Sequence, residues 1–359
     1  MRKIETPNHA NNRISKKKKN FTVNKDLRAY LVAYSREVVV PLQYKDLLRY
    51  NFSMPLLDNK NEDTLWETVY YSTFDMREIF PALIQIYTIL KVGGDIQITE
   101  HLHIERVDYC TFGNSNPFRI KIVNNFNDNY DYFYLKVADA SRIYGLELEH
   151  ILSPNRINYL VCQDTLIEEH IAGIPGDVFT KQYLHIEDEE LVSGKVYSNK
   201  TRIAKEFVKF NERCLVKLLG DMRAYNFVID ITPDCDDIQY RIRAIDFDQQ
   251  CYEGKKNLYL PQFFKENYPF VKLCMERMSP ENLTQYQQEE RALIAMRIKT
   301  SKYRLNDLME VLIDDVISTP EKIDSLKKEL ASYYNNQQFL TCQTMGQIVN
   351  VSLKTVFHK

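Results

Sequence analysis

The sequence predicts an α+β, bilobal fold: a small antiparallel sheet followed by a mainly helical body. Three observations carry this. Apolar residues recur with a period of two in stretches between residues 96 and 138, helical periodicity dominates from residue 177 onward, and one short hairpin interrupts the helices at 227–247. With 44% hydrophobic residues in 359, the chain can bury a substantial core.

Taken in order, residues 1–25 are rich in Lys, Arg and Asn without periodicity and read as a mobile basic tail, with the Lys16–Lys19 run as its densest charge. Residues 26–94 read as an N-terminal helical extension, patterned around 27–50 and again over 75–92, where Gly93-Gly94 would stop the helix. Ile96, Ile98, Leu102 and Ile104 then alternate with polar residues, as a half-buried strand does. His101 and His103 share a face of that strand; they form either a solvated surface or an incomplete metal site, since no third ligand is nearby. Further strands are expected at 118–122, 132–138 and about 159–162, with a helix over 141–152 between the last two. Amphipathic helices over 289–334 are expected to pack on the body.

Composition narrows the function classes. A formal net charge of -2 gives no electrostatic drive toward nucleic acid or an anionic membrane. No stretch is long and apolar enough to span a bilayer, and the N-terminus lacks the apolar core of a signal peptide. The seven cysteines are scattered with no C-x-x-C pair, which argues against a disulfide framework or a thiolate zinc site and points to a reducing cytoplasm.

The chemistry-bearing segment is Leu219-Gly220-Asp221-Met222-Arg223-Ala224-Tyr225-Asn226, a loop between a helical run and a strand. Twenty residues past Asn226, at the end of the next strand, stands Ile245-Asp246-Phe247-Asp248. Upstream, Lys136 sits inside an apolar strand, where an ammonium needs either an edge position or an anionic partner. In this order the residues resemble the protein-kinase-like superfamily, with its D-x-x-x-x-N catalytic loop and D-F-G metal turn. Gly-Asp opening the loop, D-F-D at the turn and the lack of a G-x-G-x-x-G motif look most like the aminoglycoside/choline phosphotransferase, HipA-like or lipid-kinase branches.

That resemblance implies an ATP- and Mg²⁺-dependent phosphotransferase acting on a hydroxyl of an unidentified protein or small molecule. It implies a kinase-like N-lobe over 95–171 and a C-lobe over 172–359. Asp221 would orient or deprotonate the acceptor and Arg223 would steady the transferring charge. Asn226 and Asp246 would hold metal, with Asp248 as a further ligand or a turn residue. Lys136 would grip the nucleotide phosphates, held by Glu147 on the following helix (Glu149 being the second choice). The backbone of Glu168, Glu169, His170 and Ile171 would meet the adenine. The Thr111–Ser115 turn either covers the phosphates or simply closes a hairpin. Two alternatives stay open: a nucleotide-binding pseudokinase or scaffold, and transfer of AMP by the same fold.

Overall fold

A computed structural model describes residues 18–58, 60–92, 100–111, 115–184, 199–234 and 237–357. The first elements are helix α1 (Lys25–Ala33), a 3₁₀ turn (Tyr44–Arg49), strands β1 (Phe52–Leu57) and β2 (Asp63–Tyr70), and helix α2 (Thr73–Val92). Strands β3 (Leu102–Cys110), β4 (Phe118–Asn124) and β5 (Tyr130–Val137) lead into helix α3 (Ala140–Leu152), then β6 (Tyr159–Cys162) and β7 (Thr165–Glu169). These seven strands form one antiparallel sheet in the order β1-β2-β3-β4-β5-β7-β6.

The remainder is helical, as the periodicity predicts. It comprises β8 (Ile174–Pro175), α4 (Gly176–Gln182), α5 (Lys200–Lys217), the hairpin β9 (Phe227–Asp234) and β10 (Asp237–Ala244), then α6 (Tyr268–Arg277), α7 (Pro280–Thr300), α8 (Lys302–Asp314), α9 (Pro320–Tyr334) and α10 (Met345–Thr355). The α+β plan, with its sheet N-terminal and its helices C-terminal, is therefore the fold.

Alternation decides which face of the sheet is buried. Phe118, Ile120 and Ile122 of β4 and Phe133 and Leu135 of β5 pack with Ile79, Leu83, Ile86 and Leu90 of α2 in one apolar cluster. Lys136, between Leu135 and Val137, must therefore point to the other face. A second, larger cluster unites α3, α5 and the C-terminal helices. Helix α3 lies inside it: all its residues except His150 are buried, as befits a helix apolar on nearly every side. Asp139 starts that helix as its N-cap, accepting the Arg142 amide.

Two expectations change. The 26–94 segment is not wholly helical, because β1 and β2 form a hairpin that extends the sheet past β3. β1 is the mostly exposed edge strand and tolerates Pro55, so it lacks the alternation that advertises a strand. Between α1 and the 3₁₀ turn the chain runs extended against β6, with the Val38 amide donating to the Val161 carbonyl at 2.9 Å. Residues 18–24 are packed rather than loose: the Asn20 side chain donates to the Ala138 carbonyl and the Ala140 amide donates to the Phe21 carbonyl at 2.8 Å. The rest of the basic tail, the Gly93-Gly94 stop, Ile96 and Ile98, and the centre of the 111–115 turn lie outside the described residues.

No helix among the described residues is long and apolar enough to cross a membrane. The described cysteines are free thiols. His101 and His103 gain no third ligand, since no group of three or more His, Cys, Asp or Glu that could hold a metal occurs among the described residues.

Candidate active site

Helix α5 ends at Leu218, which adopts the left-handed conformation that closes a helix (φ 55°). From there the chain zips onto the segment after β10. The Cys251 amide donates to the Leu218 carbonyl at 2.9 Å, Leu219 bridges Gln250, and the Gly220 amide donates to the Gln249 carbonyl at 3.2 Å. A Cβ on Gly220 would stand 3.1 Å from that carbonyl oxygen, so the close approach favours glycine before Asp221.

Asp221 is left-handed too (φ 57°), a conformation that Asp tolerates better than most residues and that often marks a functional position. Its amide is fixed by the Leu258 carbonyl at 3.0 Å. Asn226 closes the loop: its Nδ2 donates to the Asp221 carbonyl at 2.7 Å, and its own carbonyl accepts the Ile245 amide at 3.0 Å. That last bond places Asp246 beside Asn226. Asp246 in turn accepts the Asp248 amide on Oδ1 at 3.0 Å.

The structure thus brings Asp221, Arg223, Asn226 and Asp246 together. Arg223 donates from Nε to Asp221 at 2.7 Å and from Nη1 to Glu266 at 3.0 Å. Burial raises the Asp221 carboxyl above its ordinary range, with the Asp246 charge adding to the rise while Arg223 opposes it. A carboxyl moved up in this way gains strength as a base.

The residues fit a magnesium ion. Asn226 keeps its amide oxygen and Asp246 its second carboxylate oxygen after the bonds above are made. Mg²⁺ needs only one or two protein oxygens, with waters and substrate phosphates completing its octahedron. Asp248, expected as a further ligand or a turn residue, has its Oδ1 paired with Arg142 of α3. Phe247 lies against the same helix, where a Cβ added at Gly145 would come within 3.0 Å of its own Cβ.

Glu147 does not hold Lys136. Lys136 pairs across the sheet with Glu168 of β7 at 2.5 Å, on the face opposite α2. Glu147 is turned into the helical core, where Arg304 and Arg36 pair with it. The reason is the burial of α3, whose acidic residues meet cations from other parts of the chain, Arg36 and Arg304 at Glu147 and Lys217 at Glu149. Glu149, the second choice, pairs with Lys217 of α5. In the 168–171 segment the Glu169 amide donates to the Asn158 carbonyl and the His170 amide to the Tyr132 carbonyl, so these two amides are engaged. The His170 ring meets the Tyr134 hydroxyl at 3.1 Å.

Sequence reasoning missed Lys18, Asp139 and Arg142, which gather next to the D-F-D turn. Lys18 contacts both Asp139 oxygens at 3.1 Å with its side chain almost wholly buried. The signal was present in part, because α3 is an apolar helix carrying charges at 142, 147 and 149, each of which required a partner.

Among known proteins, no family model and no curated protein matches this chain. Among solved structures it is similar to an ethanolamine kinase of Plasmodium vivax, at 11% identity over 80% of this chain and 89% of that one, with a TM-score of 0.25. A likeness so loose carries nothing about activity, and the chemistry below stands on this chain's own residues.

Proposed function

We propose that this chain is a kinase-type phosphotransferase that moves the γ-phosphoryl of ATP to a hydroxyl on a protein or small molecule, with Mg²⁺ as its metal. The observation that supports it best is the backbone lacing of the Asp221–Asn226 loop to the Ile245–Asp248 turn, which holds a left-handed Asp221 and a metal-competent Asn226/Asp246 pair in one place. Asp221 would accept or orient the acceptor proton, and Arg223, fixed by Asp221 and Glu266, would face the charge that develops on the transferred group. Mg²⁺ held by Asn226 and Asp246 would supply charge neutralisation at the phosphates. A reducing compartment such as the cytoplasm suits its free thiols.

Thermal-shift titration with Mg-ATP tests this. Wild type should be stabilised by the nucleotide in a metal-dependent way, and Asp246→Ala should lose that effect. Asp221→Ala should still bind, but consume ATP at least about a hundredfold more slowly, the scale of losing a general base. No metal-dependent stabilisation of wild type would sink the enzyme reading. Mass spectrometry separates phosphoryl transfer from AMP transfer. A second reading, a non-catalytic binding protein of the same fold, is favoured by the Lys136–Glu168 and Arg142–Asp248 pairs, which occupy groups a turnover site would use. Its signature is nucleotide binding with no consumption in wild type.

A further inference from the structure

A cavity of about 180 Å³ lies between the end of the sheet and the first turn of α3, lined in part by Lys18, Asn20, Asn116, Asp139, Arg142 and Asp248. We propose that it is an oxyanion site for a polyphosphate, and that its cations are Arg142 and Lys18 rather than Lys136.

Arg142 carries the first argument. It is 2% exposed, and only Nη2 reaches Asp248, while Nε and Nη1 find no partner among the described residues. A buried guanidinium with idle N–H groups is costly, and such a group is expected where a ligand completes it. The planar fork of Arg suits the spacing of phosphate oxygens. Lys18 is the second cation. Asp139 holds it, leaving one of its three N–H donors after the two Asp139 contacts, and burial lowers its pKa to about 8 with Arg142 adding to the drop and the Asp139 and Asp246 charges opposing it. An incoming anion would relieve both penalties. The positive end of the α3 dipole points the same way. Asp139 and Asp248 act here as tethers that hold the cations in the wall.

Lys136 takes no part in this wall. It does not line the cavity and is engaged by Glu168. The cavity also adjoins the candidate active site, since Asp248 pairs with Arg142, Phe247 meets Gly145, and the Asp246 charge is felt at Lys18. Identifying the bound polyphosphate as the tail of a nucleotide rests on the phosphotransferase reading; the oxyanion site itself does not.

The full-length chain is titrated with inorganic pyrophosphate, with and without Mg²⁺, by calorimetry and thermal shift. Wild type should bind; Lys18→Ala and Arg142→Lys should each weaken binding at least about tenfold, and Lys136→Ala should leave it unchanged. If Arg142→Lys does not fold, Lys18→Ala, on the edge-packed N-terminal segment, decides alone. Failure of wild type to bind pyrophosphate, or binding that survives Lys18→Ala within about twofold, overturns the site. The same variants are then titrated with Mg-ATP. ATP binding lost in Lys136→Ala and kept in Lys18→Ala leaves the phosphotransferase reading standing and removes this one. Pyrophosphate held through Lys18 with no ATP consumption does the reverse.

Discussion

Two of the three buried charges on helix α3, Arg142 and Glu147, lie five residues apart and are treated in opposite ways. Glu147 is fully buried and saturated: the Tyr30 and Tyr159 hydroxyls donate to it at 2.5 and 2.6 Å, Arg36 at 3.2 Å, and Arg304 at 2.8 to 3.0 Å. Burial alone would raise its carboxyl; Arg304 and Arg36 outweigh that and hold it below the ordinary range. Arg142 is as deeply buried, yet has one protein partner, two idle N–H groups and a cavity beside it. A buried charge whose bonds are all made inside the chain has its role in the fold. One left unfinished beside a cavity has a role that needs something else to arrive.

The sharpest test of the contrast removes the saturated member. Glu147→Ala leaves two guanidinium groups and two tyrosine hydroxyls without their acceptor and unpins α1, β6 and α8 from α3. It should cost about 3–5 kcal/mol, the range for breaking a buried pair from one side. The measurement is a denaturant midpoint that falls with an unchanged slope, while pyrophosphate affinity per folded molecule stays put. A loss under about 1 kcal/mol would mean that Glu147 is not the structural partner drawn here.

Gly145, between the two charges, gives a smaller effect of instructive sign. Replacing a mid-helix glycine by alanine ordinarily stabilises by about 0.5–1 kcal/mol. Here the new Cβ would stand 3.0 Å from the Phe247 Cβ and 3.1 Å from the Gln250 Cβ, both rigidly placed. Overpacking should win, for a net loss of about 1 kcal/mol. Because Phe247 lies between Asp246 and Asp248, ATP consumption should drop more than ATP binding. A stabilised Gly145→Ala with unaltered turnover would show that α3 and the turn are not rigidly coupled.

The fold was legible because its signals are local. The strands at 118–122 and 159–162, the helix at 141–152 and the hairpin around 233–237 follow from period and turn residues, and they appear as β4, β6, α3 and β9–β10. The β1–β2 hairpin was not, because an exposed edge with a proline has little alternation to read. At the site, the Asp221–Asn226 spacing and the Asp246 turn were visible because both lie on one hairpin and its stem. Partners across the fold were not. Glu147 meets cations from residues 36 and 304, far away in sequence, rather than the expected Lys136. Lys18 was read with a basic tail, since nothing local says that an ammonium will be drawn into a cavity by Asp139 and neighbouring backbone bonds.

A pH-dependent effect tests whether the Glu147 cluster is truly full. His150, the last titratable residue of α3, has its Nδ1 3.2 Å from Arg36 Nη2, so that nitrogen must accept and the ring must stay neutral. Burial, then Arg36 and Arg304, lower its pKa from the ordinary 6.5 to about 4, against a smaller opposing pull from Glu147. Between those values the unfolded chain binds a proton that the folded chain refuses, so His150 makes stability fall as pH drops from about 6.5 to about 4. His150→Gln removes that slope. The stability difference between wild type and variant, followed by thermal melts from pH 8 to pH 5, should be constant above about pH 7 and shift against wild type below it. Were the difference instead to move in favour of wild type on acidification, His150 would be charged in the fold. Glu147 would then have room for a third cation, and the saturation that separates it from Arg142 would be lost.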